Sequence, residues 1–247
     1  MSYALSNSWD LADRRLALLE ACHDPASRRL AEERGVGPGW ACLDAGAGHG
    51  GFARWLASRV GERGRVVAAD LNVRFLEERG NLEVLRIDLE QEELPQAAFD
   101  LVHTRLLLIH LRSRDQVLEK LAAALRPGGV LLVEEDDVYP FAANPPGDYS
   151  DAWETFMGAM SGTDSHWARG IPQRLDALGL TDVGAEPREQ LFRGGSPPAQ
   201  FWSLTWLEVR DRVPSAAVID AGRDALADTS RWFYGPATVA AWGRRPA

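Results

Sequence analysis

The stretch LDAGAGHGGFARWL, Leu43–Leu56, decides the fold. It packs four glycines into six residues, between an apolar run that ends in an acid and a segment with helical periodicity. A buried strand that runs into a glycine-rich turn and then a helix is how an open α/β sheet begins, and such a turn brings bare backbone close to a ligand.

Outward from this stretch, short apolar runs alternate with helical patterns: WACLD, FARWLASRV, RVVAAD, VRFLEER, LEVLRID and FDLVHT. A helix then opens at Ser113, where S-R-D-Q reads as a capping box with Gln116, and VLLVE follows. Strands of a parallel sheet are covered on both faces, so they read as continuous apolar runs. The expected class is therefore α/β, with a doubly wound, mostly parallel sheet.

Upstream, the first 35 residues read as two helices. One covers roughly Ser8 to Cys22, with Trp9, Leu11, Leu16 and Leu19 on its apolar face; Asp24-Pro25 caps and starts the second, and Gly35 stops it. After Glu135 the segment DDVYPFAANPPGDYSD keeps no period and reads as a connection over the sheet's C-terminal edge. A helix from Trp167 to Leu178, a strand near Thr181 to Leu191, a proline-started helical stretch with Trp202, Trp206 and Leu207, and a closing strand FYGPATVAAWGRR complete the chain. We expect one domain: a helical lid over residues 1–37, a ligand-binding core over 38–137, and cap insertions with the last strands over 138–247.

With 247 residues and 45% hydrophobic content the chain can bury a full core. The two cysteines, Cys22 and Cys42, are too few for a disulfide framework and have no metal-ligand spacing, so no metal is expected. A formal charge of −9 argues against a nucleic-acid partner, which needs a basic face to displace counterions. The beginning of the sequence lacks a basic and apolar leader pattern, and runs such as Val130–Val133 are too short to span a bilayer. The expectation is a cytoplasmic protein, a monomer or homodimer, with neither nucleic-acid nor membrane partner.

The turn Gly46-Ala47-Gly48-His49-Gly50-Gly51 satisfies two templates. As G-x-G-x-x-G it is a dinucleotide fingerprint; as D-x-G-x-G-x-G from Asp44 it is the motif of enzymes that use S-adenosylmethionine (SAM). Asp70 ends the second strand about twenty residues beyond Gly50, where a carboxylate accepts the ribose hydroxyls of either cofactor. The third strand ends in Asp88-Leu89, and Leu125-Arg126-Pro127-Gly128-Gly129 leads into the fifth.

In that order the motifs resemble a class I SAM-dependent methyltransferase of the small-molecule type, in the style of actinobacterial secondary-metabolite enzymes. The resemblance covers about Trp40 to Asp136 closely and implies a Rossmann-like, seven-stranded sheet that uses SAM. It further implies that Asp44 orients the loop or accepts the methionine ammonium, and that the Gly46 and Gly48 backbone contacts the methionine part. Asp70 would hold the ribose, Leu71 would pack on the adenine, and Asp88 would accept the adenine amino group beside the Leu89 backbone. The backbone near Thr104, just past the fourth strand, would meet the ammonium end. Each acid also stands where a helix N-cap belongs. His49 replaces a small residue common in relatives, and its ring is expected to point out of the loop.

A phenol, acid or ammonium acceptor needs a base, and histidine suits neutral pH. His103 and His110 flank the loop after the fourth strand and His166 precedes the late helix; His110 is the first candidate and His166 the second. Trp167, Trp202, Trp206, Tyr139 and Phe141 are candidate walls for an aromatic or lipophilic small-molecule acceptor. Trp9 and Arg15 are placed to close over the methionine carboxylate. Asn144-Pro145-Pro146-Gly147 resembles a base-methylating motif but falls after the wrong strand, and reads as a turn. Rival readings are an NAD(P)-dependent oxidoreductase, a non-catalytic SAM-binding module, and a methyltransferase acting on a peptide or protein terminus.

Overall fold

The structure, a computed structural model, describes residue 5 and residues 9–160, 163–164 and 166–247. Five parallel strands form its centre: β1 (Ala41–Ala45), β2 (Arg65–Asp70), β3 (Leu82–Arg86), β4 (Phe99–Arg105) and β5 (Leu125–Asp137). Two further strands, β6 (Thr181–Arg193) and β7 (Trp232–Arg244), extend it to the order β3-β2-β1-β4-β5-β7-β6, with β7 antiparallel to both of its neighbours. Seven helices accompany the sheet among the described residues: α1 (Ala12–Glu33), α2 (Gly51–Val60), α3 (Arg114–Ala123), α4 (Asp148–Ala159), α5 (Ile171–Ala177), α6 (Pro197–Val209) and α7 (Ala216–Ala227). The order of the parallel strands reverses between β1 and β4, and in open α/β sheets ligands bind outside the carboxyl ends of the strands at such a point.

Side chains alternate across a strand, so each central strand feeds two cores. Cys42, Ala68, Leu101 and Leu132 pack with Phe52, Leu56 and Leu30 beneath α1 and α2. Leu43, Val67, Val102 and Leu131 pack with Leu118, Leu121, Ile171 and Leu175 beneath α3 and α5. A third cluster joins α4, α6 and α7 above the sheet through Trp153, Phe156, Trp206 and Ile219.

The structure corrects several expectations. The two N-terminal helices are one, α1, with Pro25 inside it; Ser8, the expected start, lies outside the described residues. Asp24 is not a cap: it faces the sheet, where Arg105 Nη2 and Arg28 Nη2 each donate to its carboxylate at 2.9 Å. VRFLEER is not helical. Asp70 Oδ1 accepts the Asn72 N–H at 2.9 Å and Asn72 Oδ1 the Arg74 N–H at 3.1 Å, turns that compete with helix formation. Ser113 precedes α3, but its hydroxyl donates to Glu90 at 2.8 Å and not to its own helix. The segment expected to be a bare connection gives way to α4 at Asp148, and α7 has no counterpart in the sequence expectations.

Candidate active site

A cavity of about 1400 Å³ opens at the C-terminal ends of β1, β2, β4 and β5, walled by the glycine loop, α1, α4 and α6. Pockets for one small ligand run to roughly 300–1,000 Å³, so this one has room for two.

One half is built from the loop after β1. Gly50 caps α2 with a left-handed φ of 82°, and a Cβ there would lie 2.7 Å from Leu76. At Gly51 a Cβ would lie 2.5 Å from the Glu20 carboxylate, which instead receives the Gly51 N–H. Glu20 thus sits on the N-terminus of α2, where a bound anion would otherwise go. Burial opposes ionisation of Glu20, but its bonds to His49 and Gly51 outweigh that and hold its pKa below the usual range. His49 turns its ring toward α1, with Nδ1 3.2 Å from Glu20 and Nε2 3.1 Å from Asp13, and those carboxylates raise its pKa. It also lines the cavity.

The acids expected around a cofactor converge on the same wall. Asp44, Gly46, Gly48, Asp70, Asp88 and Leu89 all line the cavity. Asp70 accepts the Gly48 N–H on Oδ2 at 2.9 Å; burial raises its pKa against that bond. Leu71, 57% exposed and on the same wall, offers an apolar face. Asp88 Oδ1 accepts the Glu90 N–H at 3.0 Å. Thr104 is a correction: it lies within β4, not beyond it, is fully buried, and is absent from the cavity wall. Strand alternation explains this, since Thr104 shares the face of Val102 while His103 and Arg105 share the cavity's side.

The other half lies under the cap. His110 reaches it, with Nδ1 3.4 Å from Thr163 Oγ1; burial and the charges of Arg15 and Arg114 push its pKa down to about 4. His166 does not: it is exposed, outside the cavity wall, and its N–H donates to Asp164 at 3.1 Å. His103 is also displaced from its expected place, being inside β4 and buried between Asp44 (2.7 Å) and Glu134 (3.2 Å). Of the expected aromatic walls only Trp202 lines the cavity, joined by Trp153, Phe156 and Phe201. Trp206 and Trp167 fill cores, Phe141 stacks on Trp153, and the Tyr139 hydroxyl donates to Glu189 at 2.8 Å. Trp9 and Arg15 do reach the cavity, and buried Arg15 pairs with Glu208 of α6 at 3.1 Å.

Sequence reasoning missed the acids that end β5. Glu135, fully buried, receives the N–H groups of Leu107 and Leu108 at 3.0 and 2.7 Å, and burial pushes its pKa up to about 8. Asp136 lines the cavity and takes the Thr238 hydroxyl at 3.0 Å; burial raises its pKa to about 7. Their signal was a run of four acids, Glu134–Asp137, directly after VLLV.

Residues 43–131 match the family model of a methyltransferase domain. The ubiquinone/menaquinone biosynthesis C-methyltransferase UbiE of Laribacter hongkongensis is 35% identical over 130 residues, covering 45% of this chain and 53% of that protein. Phosphoethanolamine N-methyltransferase 1 of Zea mays is 26% identical over 174 residues, 67% of this chain and 33% of that one. The chain thus spans about half the length, or less, of these curated relatives. Among solved structures, phosphoethanolamine N-methyltransferase 2 of Haemonchus contortus, in complex with phosphomonomethylethanolamine and S-adenosylhomocysteine, superposes with a TM-score of 0.57 at 20% identity. That match covers 95% of this chain and 53% of the other, and at this identity it is a likeness of fold.

Proposed function

We propose that the chain is a class I SAM-dependent methyltransferase that transfers the methyl group of SAM to a lipophilic small molecule, a reading supported by its match to a methyltransferase domain over residues 43–131 and by its fold. One observation carries the reading. The bare glycine loop, Asp70 and Asp88 face one cavity at the reversal of strand order, while Glu20 fills the N-terminus of α2. A dinucleotide would set its pyrophosphate at that helix end, and a carboxylate already there repels it. A nucleoside whose tail carries an ammonium meets no such repulsion.

The donor's residues fit this use: Asp70 for the ribose hydroxyls, Leu71 against the adenine, Asp88 and the Leu89 backbone for its edge, Asp44 for the ammonium and Arg15 for the carboxylate. When bound, SAM supplies a methyl group already activated on a sulfonium. The protein's share is then alignment, exclusion of water and care of the acceptor's proton. Helices α1, α4 and α6 act as the cover: α1 lies over the loop through His49 and Glu20, and Trp153, Phe156 and Trp202 wall the acceptor space. A base works best with a pKa near the working pH, and Asp136 meets that condition better than His110. Asp136 is therefore the preferred proton acceptor, with His110, neutral, as a hydrogen-bonding partner.

Parallel calorimetric titrations with S-adenosylhomocysteine and NADH test the donor. We expect the first to bind and the second not; the reverse makes the chain an oxidoreductase. Isotopically labelled SAM incubated with extracts of the producing cell then tests transfer, and no labelled product in the presence of donor binding would leave a non-catalytic SAM-binding module.

A further inference from the structure

His103 sits where three strands meet. Its register partner on β1 is Asp44, and Glu134 reaches it from β5. The ring is 1% exposed, Nδ1 lies 2.7 Å from Asp44 Oδ1, Nε2 lies 3.2 Å from Glu134 Oε1, and Phe52 covers the ring at 4.2 Å between centroids. A neutral imidazole has one N–H and can satisfy one of these carboxylates; only the imidazolium donates to both. An unpaired buried carboxylate is expensive, so this arrangement selects the charged ring.

The surrounding charges point the same way. Glu134 also receives Arg188 Nη2 from β6 at 3.0 Å, and Arg105 of β4 donates to Asp24 and Ser27 of α1 at 2.9 and 2.7 Å. Asp70 of β2 and Asp136 of β5 add further acids close by, and buried His23 of α1, pushed down to about 3 by burial, is neutral. At the enclosed centre the carboxylates of Asp44, Glu134 and Asp24 outnumber the guanidiniums of Arg105 and Arg188, with Arg28 at the half-exposed rim. Burial disfavours charge on His103, yet its bonds to Asp44 and Glu134 outweigh that and raise its pKa.

We infer that His103 is a positioning residue for the donor's amine: held between Asp44 and Glu134, it engages Asp44 Oδ1 and so presents Oδ2 to a primary ammonium in the cavity. The inference rests on the donor reading above and adds what that reading lacks, a partner that fixes the orientation of the Asp44 carboxylate, which is 3% exposed. Glu134 acts one step further back, by keeping the ring charged, and does not itself line the cavity.

The test compares S-adenosylhomocysteine with its analogue lacking the amino group, by calorimetry, on wild type, His103→Gln and Glu134→Gln. Wild type should prefer the amine by roughly 10- to 100-fold, the range of one charge-assisted hydrogen bond. In His103→Gln the preference should shrink about fivefold or more, while affinity for the amine-free analogue stays within about twofold. Glu134→Gln should move the same way by less, and it carries the test if His103→Gln does not fold. Nitrogen NMR of the wild-type ring near neutral pH should show both ring nitrogens protonated. Equal weakening of both ligands in the variants, an unchanged preference, no preference in wild type, or a neutral ring would each overturn the proposal. Failure of wild type to bind either ligand would instead sink the donor reading itself.

Discussion

Glu20 of α1 holds the backbone N–H of Gly51 at the start of α2, and the same carboxylate meets His49 Nδ1 at 3.2 Å. One side chain therefore fastens the N-terminal helix to the glycine loop. The pair is sensitive to pH in a definite sense. Glu20 is held below its usual pKa of 4.5, so its contribution is lost as pH falls through that lowered value; His49 is raised above 6.5, so its contribution is lost as pH rises through the raised value. The full contribution spans pH 4.5 to 6.5. Because His49 is partly exposed, solvent screening limits it to about 0.5–1 kcal/mol. Urea unfolding should show His49→Ala less stable than wild type by that amount at pH 6, and by less at pH 9. An equal difference at both values would remove the charge from the account.

Asp70 offers the most direct check of the donor site. Replacement by alanine removes the acceptor proposed for the ribose hydroxyls and leaves the Gly48 N–H without its partner. A charge-assisted bond is worth about 1.5–3 kcal/mol, so affinity for S-adenosylhomocysteine should fall roughly 10- to 100-fold. The far-ultraviolet circular dichroism should stay that of wild type, because Asp70 is at the sheet's rim and not in either core. Affinity that does not change would place the ribose elsewhere.

The donor half was legible because its chemistry is local. Strand, turn and helix are contiguous from Leu43 to Leu56, Asp70 ends β2 and Asp88 follows the end of β3 by two residues, so spacing alone brings them to one rim. The acceptor half was not. The role proposed for Asp136 depends on β7, which sets Thr238 against it from 102 residues away in the chain, and on cap helices that follow it. Periodicity also misled where side chains served the backbone: Asn72 and Asp70 turned a helical pattern into a loop, and Asp24 paired with Arg105 instead of starting a helix. His166 has the right residue type in a helix-flanking position, but its exposed place depends on how the cap folds back.

Asp136 and His110 separate by their titrations. Burial raises Asp136 to about 7, so it accepts a proton only as pH rises through that value; His110, down to about 4, keeps one protonation state across the neutral range. Turnover measured with labelled SAM should rise from pH 6 to pH 8. Asp136→Asn should abolish the rise and most of the activity, typically 100-fold or more for a general base. His110→Ala should leave the inflection in place. If His110→Ala removes it, the base is the histidine.

Arg15 and Glu208 close the cavity between α1 and α6, with side chains 2% and 4% exposed and 3.1 Å apart. Breaking a buried pair leaves one charge without its counter-ion, which costs about 3–5 kcal/mol, whereas replacing both partners with apolar residues of similar volume is often neutral. Glu208→Gln should therefore unfold at lower urea than wild type, and Arg15→Met/Glu208→Met should recover most of the loss. Among the described residues Arg15 Nη2 has no hydrogen-bond partner, which fits the proposed carboxylate of the donor. Saturating S-adenosylhomocysteine should then stabilise Glu208→Gln more than wild type, because the ligand's carboxylate supplies the missing negative charge, and should stabilise the double variant least. The order of the three ligand-induced shifts decides it. If all three are equal, Arg15 tethers the two helices without touching the donor.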